Sequence, residues 1–143
     1  MSSAVIVDTN VVVAGLPIER TDLPFAPILQ GMLSAAFPFA VSASLLAEYR
    51  EVLGRPALQK LHGLDGDALE AIVTNIARHA IVLEPAAVSV PAPDPGDQLL
   101  WELLAARADL VLVTSDKLLL RDHGGPGVAI QRFHKRPHLS HEN

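Results

Sequence analysis

Short apolar runs alternate with helical stripes along this chain. Val5-Ile6-Val7 is β-branched and lacks apolar–polar alternation, as in a strand covered on both faces. Phe39-Ala40-Val41, Ala80-Ile81-Val82-Leu83, Leu110-Val111-Leu112-Val113 and Val128-Ala129-Ile130 repeat the pattern, most clearly at Leu110–Val113. The segments between them carry helical spacing. Pro27 suits a first helical turn ahead of Ile28-Leu29 and Met32-Leu33. Ser42 or Ser44 caps a helix bearing Leu45-Leu46, Tyr49 and Val52-Leu53 on its apolar side, which Pro56 interrupts. Asp65 or Asp67 caps the next stripe, Leu69, Ile72-Val73 and Ile76. Asp97 opens a helix with Leu99-Leu100, Leu103-Leu104 and Ala105-Ala106 facing inward, and a short helix follows Asp116. Strands separated by helices predict an α/β fold, a central parallel sheet of four to five strands with helices on both faces.

Leu16–Pro24, the Pro-rich Val88–Gly96 and Gly124–Gly127 read as loops. No repeat or internal boundary divides the chain. One domain over residues 1–131 is expected, followed by a polar, His-rich tail over 132–143. A length of 143 residues, half of them apolar, suffices for one hydrophobic core. No apolar run approaches the roughly 20 residues of a membrane span. Ala4–Val7 has no basic residue ahead of it and ends at Asp8, unlike a signal peptide, so a cytoplasmic protein is expected. The absence of cysteine excludes disulfides and thiolate metal sites. A net charge of −5 argues weakly against phosphate binding, which favours basic surfaces. That argument loses most of its force if several of the acids belong to one metal site.

Four acids stand at such suggestive places. Asp8 closes the first strand, and Glu48 follows Ser44-Leu45-Leu46-Ala47 on a helix. Asp97 follows Pro91–Gly96, and Asp116 follows Leu112-Val113-Thr114-Ser115. Singly, each has an ordinary explanation. Asp97 and Asp116 suit helix N-caps, and Glu48 an exposed helical position. Asp8 is harder to explain this way, because a carboxylate directly after a buried strand needs a partner. In an open parallel sheet, ligands gather at the carboxyl ends of strands. Hard oxygen ligands there suit Mg²⁺ or Mn²⁺, which polarise phosphoryl oxygens and acidify water.

Four motifs in order sharpen this reading: Asp8-Thr9-Asn10 after the first strand, Ser44-Leu45-Leu46-Ala47-Glu48-Tyr49 on a helix, Asp94-Pro95-Gly96-Asp97 before a helix, and Thr114-Ser115-Asp116-Lys117 after a strand. In order, spacing and chain length they resemble PIN domains over about Val5 to Ile130, with most similarity to bacterial toxins of toxin–antitoxin systems, the VapC-like group. The resemblance implies a three-layer α/β/α domain and a Mg²⁺- or Mn²⁺-dependent endoribonuclease. It also implies a cognate antitoxin as partner and a homodimer. Carried onto this chain, Asp8, Glu48, Asp97 and Asp116 would be the metal-site and catalytic acids, with Asp8 and Asp97 central. Thr9, Asn10, Thr114 and Ser115 would orient them by hydrogen bonds. The implied reaction is hydrolysis of an RNA phosphodiester by metal-activated water, leaving a 5′-phosphate and a 3′-hydroxyl. Ser115 stands where many relatives have glycine, and Gly96 where some have a further acid. Asp94 is an alternative to Asp97, which the spacing to the following helix favours.

Arg50, Lys117 and Arg121 are candidates for contacts to RNA phosphates, against the alternative of a solvated basic face. Lys117 and Arg121 share a face if their segment is helical. Arg132–His138 is the most basic stretch, and a disordered tail is its simplest reading. The histidines form no metal motif, Trp101 reads as core, and Gly124-Gly125-Pro126-Gly127 lacks the Lys-Ser/Thr of a phosphate-binding loop. A phosphatase of the haloacid-dehalogenase type would need an acid two residues after Asp8, where Asn10 stands. The remaining alternative is a PIN-like module that binds without catalysing.

Overall fold

The computed structural model describes residues 4–16, 26–88, 91–92, 94–114 and 127–129. Five short strands pair in parallel: β1 (Val5–Val7), β2 (Ala40–Val41), β3 (Ile81–Val82), β4 (Val111–Thr114) and β5 (Gly127–Ala129). β4 lies between β1 and β5, with Val5, Ile6 and Val7 opposite Val111, Leu112 and Val113. β2 pairs with β3, and a parallel bridge from Val5 to Phe39 joins the two sets. The Val5 N–H donates to Pro38 O at 3.1 Å along that seam. The resulting order is β3-β2-β1-β4-β5. The chain builds outward from β1 in both directions, so the topological switch point falls between β1 and β4. The expectation of four to five parallel strands holds, and the architecture is the three-layer α/β/α sandwich.

Burial explains the sequence of the central strands. β1 and the middle of β4 are inaccessible on both faces, which is why they contain only Val, Ile and Leu without alternation. β3 is an edge strand, shorter than the expected Ala80–Leu83, and its Val82 is 61% exposed.

Six helices occur among the described residues: α1 (Thr9–Ala14), α2 (Ala26–Ser34), α3 (Ala43–Leu53), α4 (Pro56–His62), α5 (Gly66–His79) and α6 (Gln98–Leu104). Ser42 caps α3, accepting from Leu45 N–H at 3.1 Å, and Asp65 caps α5, accepting from Ala68 N–H at 2.8 Å. Leu45, Tyr49 and Leu53 on α3 and Leu69, Val73 and Ile76 on α5 are buried, as their spacing predicts. Three points differ from expectation. α1 was not evident, because Val11-Val12-Val13 has weak helix propensity. Burying Val11 and Val12 completely outweighs that preference. Pro56 does not merely interrupt α3 but opens α4, where its missing N–H costs nothing. α6 ends at Leu104, leaving Ala105 exposed rather than facing inward.

The end of α2 stores a small strain. Ala35 adopts φ 58°, and Ala36 N–H closes back on Gly31 O at 2.8 Å, the left-handed helix stop that glycine ordinarily occupies. Ala35→Gly is expected to raise stability by about 0.5–1 kcal/mol, the Cβ penalty less glycine's greater unfolded-state freedom. Denaturant melts would measure it, and an unchanged midpoint would refute it. Gly31 must stay glycine, because a Cβ there would lie 2.4 Å from Cε2 of the buried Phe37.

Candidate metal and catalytic site

Asp8 occupies the first position beyond β1, at the switch point. Its backbone is held from two sides: its N–H donates to Val113 O at 3.0 Å, and its C=O accepts from Val11 N–H at 2.9 Å as α1 begins. The side chain is only 5% exposed. The hydroxyl of Thr114, fully buried at the end of β4, donates to Asp8 Oδ2 at 2.6 Å. β4 thus supplies the partner that a carboxylate in this position requires. Burial raises the Asp8 pKa above its usual value, and the negative charge of Glu48 adds to the rise. The Thr114 hydroxyl and the backbone amides of Thr9 and Asn10 oppose it without cancelling it.

Glu48 approaches from α3, and the Thr9 hydroxyl at the start of α1 donates to its Oε2. Glu48 is half-buried, unlike its exposed neighbour Glu51, which forms a surface pair with Arg55 at 2.9 Å. The two acids are therefore linked through adjacent residues of one loop-to-helix junction. Asp8 comes from that junction itself, and Glu48 is bound to its next residue. Tyr49 belongs to the same arrangement. It is wholly buried, and its hydroxyl donates to the carbonyl of Val7, the residue before Asp8, at 2.5 Å.

Asp97 lies at the end of a 3-10 turn, Pro95–Asp97, immediately before α6. It occupies the N-cap position, yet its side chain makes no capping hydrogen bond, so capping does not account for this acid. Asp94 behaves differently. It is exposed, and its carboxylate accepts from Gly96 N–H at 3.0 Å, the ordinary work of a turn aspartate. The two acids thus differ in local role, Asp94 closing its turn and Asp97 making no capping bond.

Asn10 is exposed on α1. Arg50 of α3 pairs with Glu70 of α5 at 3.0 Å, with both side chains exposed. Such pairs contribute little to stability. Ser115, Asp116, Lys117 and Arg121 lie outside the described residues, as does the tail over 132–143. Among the described residues no three of His, Asp and Glu gather into a cluster able to hold an ion, and no Lys or Arg forms an ion pair with Asp8 or Glu48. Trp101 is core, 5% exposed.

The donor chemistry suits a hard divalent cation. Two carboxylates share the switch point, one of them buried, and among the described residues their hydrogen-bond partners are hydroxyls and backbone amides. A small apolar cavity beside α1, lined by Val13, Ala14, Leu16, Leu58, Leu61 and His62, holds no acid and lies toward the opposite end of the helix.

An open parallel sheet with two carboxylates at its switch point is an α/β/α domain with a candidate cation site. Comparison with family models makes this specific: the model described as PIN domain matches residues 4–118, and the chain belongs to the PIN domain family. PIN domains are generally nucleases that bind nucleic acid and typically use divalent metals. No curated protein and no solved structure matches the chain. No helix among the described residues is long and apolar enough to cross a membrane.

Proposed function

We propose that this protein is a Mg²⁺- or Mn²⁺-dependent endoribonuclease whose metal site is formed by Asp8, Glu48, Asp97 and Asp116. The observation that carries the reading is the buried carboxylate of Asp8 at the switch point, beside Glu48 and without a cationic partner among the described residues. Burying a carboxylate next to a second one is costly, and a divalent cation removes the cost. When bound, such an ion supplies charge neutralisation at the scissile phosphate and a water acidic enough to be deprotonated at neutral pH. The chain's own residues supply placement. Thr114 fixes one oxygen of Asp8, and Thr9 fixes one oxygen of Glu48, leaving the other oxygens free of these bonds. Lys117 and Arg121 are the proposed phosphate contacts, with Arg50 a third once released from Glu70.

Asp97 is assigned to the site in preference to Asp94. Asp97→Asn is expected to lower metal-dependent cleavage of single-stranded RNA by about 10²-fold or more, whereas Asp94→Ala retains activity within a few-fold. Equal loss in both variants would remove this distinction. Products are expected to carry 5′-phosphate and 3′-hydroxyl ends.

The biological role we assign is that of a cytoplasmic, homodimeric toxin held inactive by a cognate antitoxin, supported by the likeness of the four motifs to that branch of the family. Induced expression of the wild type is then expected to arrest growth, and Asp8→Asn to permit it. Arrest by both proteins would disconnect toxicity from the acidic site.

A further inference from the structure

The sequence places Tyr49 on the apolar stripe of α3 as one more core residue, yet its hydroxyl is its most informative atom. Glu48 and Tyr49 are consecutive, and they grip the chain on either side of Asp8. Tyr49 Oη donates to the carbonyl of Val7, and Glu48 accepts from the hydroxyl of Thr9. Helix α3 thereby straddles the metal-site aspartate through its two sequence neighbours. Two hydrogen bonds that bracket one residue restrain both translation and rotation of that residue relative to the helix, which a single bond cannot do. Among the described residues no other side-chain hydrogen bond ties the β1 end to α3, and Val7 is fully buried, where a carbonyl that loses its partner is expensive.

We propose that Tyr49 is a positioning residue that sets the spacing between Asp8 and Glu48, and so the affinity of the site for a divalent cation. The inference rests on the metal-dependent reading above. The phenol is suited to this work. It is completely buried, and burial together with the negative charges of Asp8 and Glu48 holds its proton far more tightly than in a free tyrosine, so it remains a donor at any pH at which the protein works. Those same charges place the ring in the electrostatic field of both acids, and a cation arriving between them must alter that field.

Tyr49→Phe removes the hydroxyl and keeps the ring. Calorimetric titration with Mn²⁺, under conditions where circular dichroism shows the variant folded, is expected to give about tenfold weaker binding than wild type. Phe39→Leu, a core change at the residue that bridges to Val5 and packs edge-on against Phe37, serves as the control for loss of stability alone and is expected to bind Mn²⁺ like the wild type. Tyr49→Phe binding as tightly as the wild type overturns the proposal, and so does equal weakening in the control. Failure of the wild type to bind Mn²⁺ at all would instead remove the metal reading on which this stands. A second measurement covers the case in which Tyr49→Phe does not fold. Tyr49 is the sole tyrosine in the chain, so growth on 3-fluorotyrosine labels this position alone. The fluorine resonance is expected to shift on Mg²⁺ addition with the midpoint of a calorimetric titration run with the same ion. A resonance unmoved at saturating Mg²⁺ overturns the proposal.

Discussion

Asp8→Asn is expected to lower metal-dependent RNA cleavage by about 10³-fold, while the metal-free variant melts no lower than the wild type at neutral pH. The two halves of this expectation have one cause. In the absence of a cation, ionised Asp8 is buried beside Glu48, and both conditions oppose its charge. The amide is neutral, nearly identical in shape, and can still accept the Thr114 hydroxyl through its oxygen. Folding is therefore relieved of a buried charge at little cost in packing. Metal binding loses a hard anionic ligand, and several kcal/mol of transition-state stabilisation go with it. Melting curves with EDTA and with Mg²⁺ would measure both effects. The wild type should gain stability with metal and the variant much less. A full wild-type gain in Asp8→Asn would falsify the assignment of Asp8 to the site.

Thr114→Val removes the only side-chain hydrogen bond that Asp8 accepts among the described residues. Bonds to a charged acceptor are worth about 1.5–3 kcal/mol, and a loss of that size is expected in metal-free protein at neutral pH. The pH dependence identifies the mechanism. The folded pKa of Asp8 lies above the unfolded value near 3.8, so the folded state holds its proton longer as pH rises. Stability from this group is thus complete below pH 3.8 and is lost as pH rises through the folded pKa. Thr114 pulls that pKa down, and its removal extends the falling limb to higher pH. The variant should match the wild type most closely in acid, and its deficit should widen toward neutrality. Metal affinity should weaken about 10–100-fold, as for other residues that orient a ligand. A deficit constant from acid to neutral pH would mean that lost packing, not the Asp8 hydrogen bond, explains the change.

Strands were legible in this chain wherever burial was complete. Val5–Val7 and Leu110–Val113 contain no polar residue because the sheet interior covers both of their faces. The helices α3 and α5 were legible from an apolar stripe and a capping side chain acting together. α1 was not, since its valines favour a strand locally and only the packing of Val11 and Val12 decides for a helix. Of the hydrogen-bonded pair at the switch point, Asp8 stood out as an acid directly after a buried strand, whereas Thr114 was singled out only by the resemblance to the family. Tyr49 was missed because a tyrosine on a buried stripe looks the same whether or not its hydroxyl has a task. The signal available was a buried phenol, which needs an acceptor, and that demand names no particular partner.

The sequence alone determined the class of fold, the order of its strands and the identity of the candidate acids, since periodicity and end residues are local properties. Tertiary structure alone decided how they are joined: Thr114 reaches Asp8 across 106 positions, and α3 brackets Asp8 through Val7 and Thr9. It also shows what the Asp94 carboxylate does, which is to accept from Gly96 N–H within its own turn. Hydrogen-bond partners distant in the chain depend on strand register and helix packing, and these emerge only when the whole core closes.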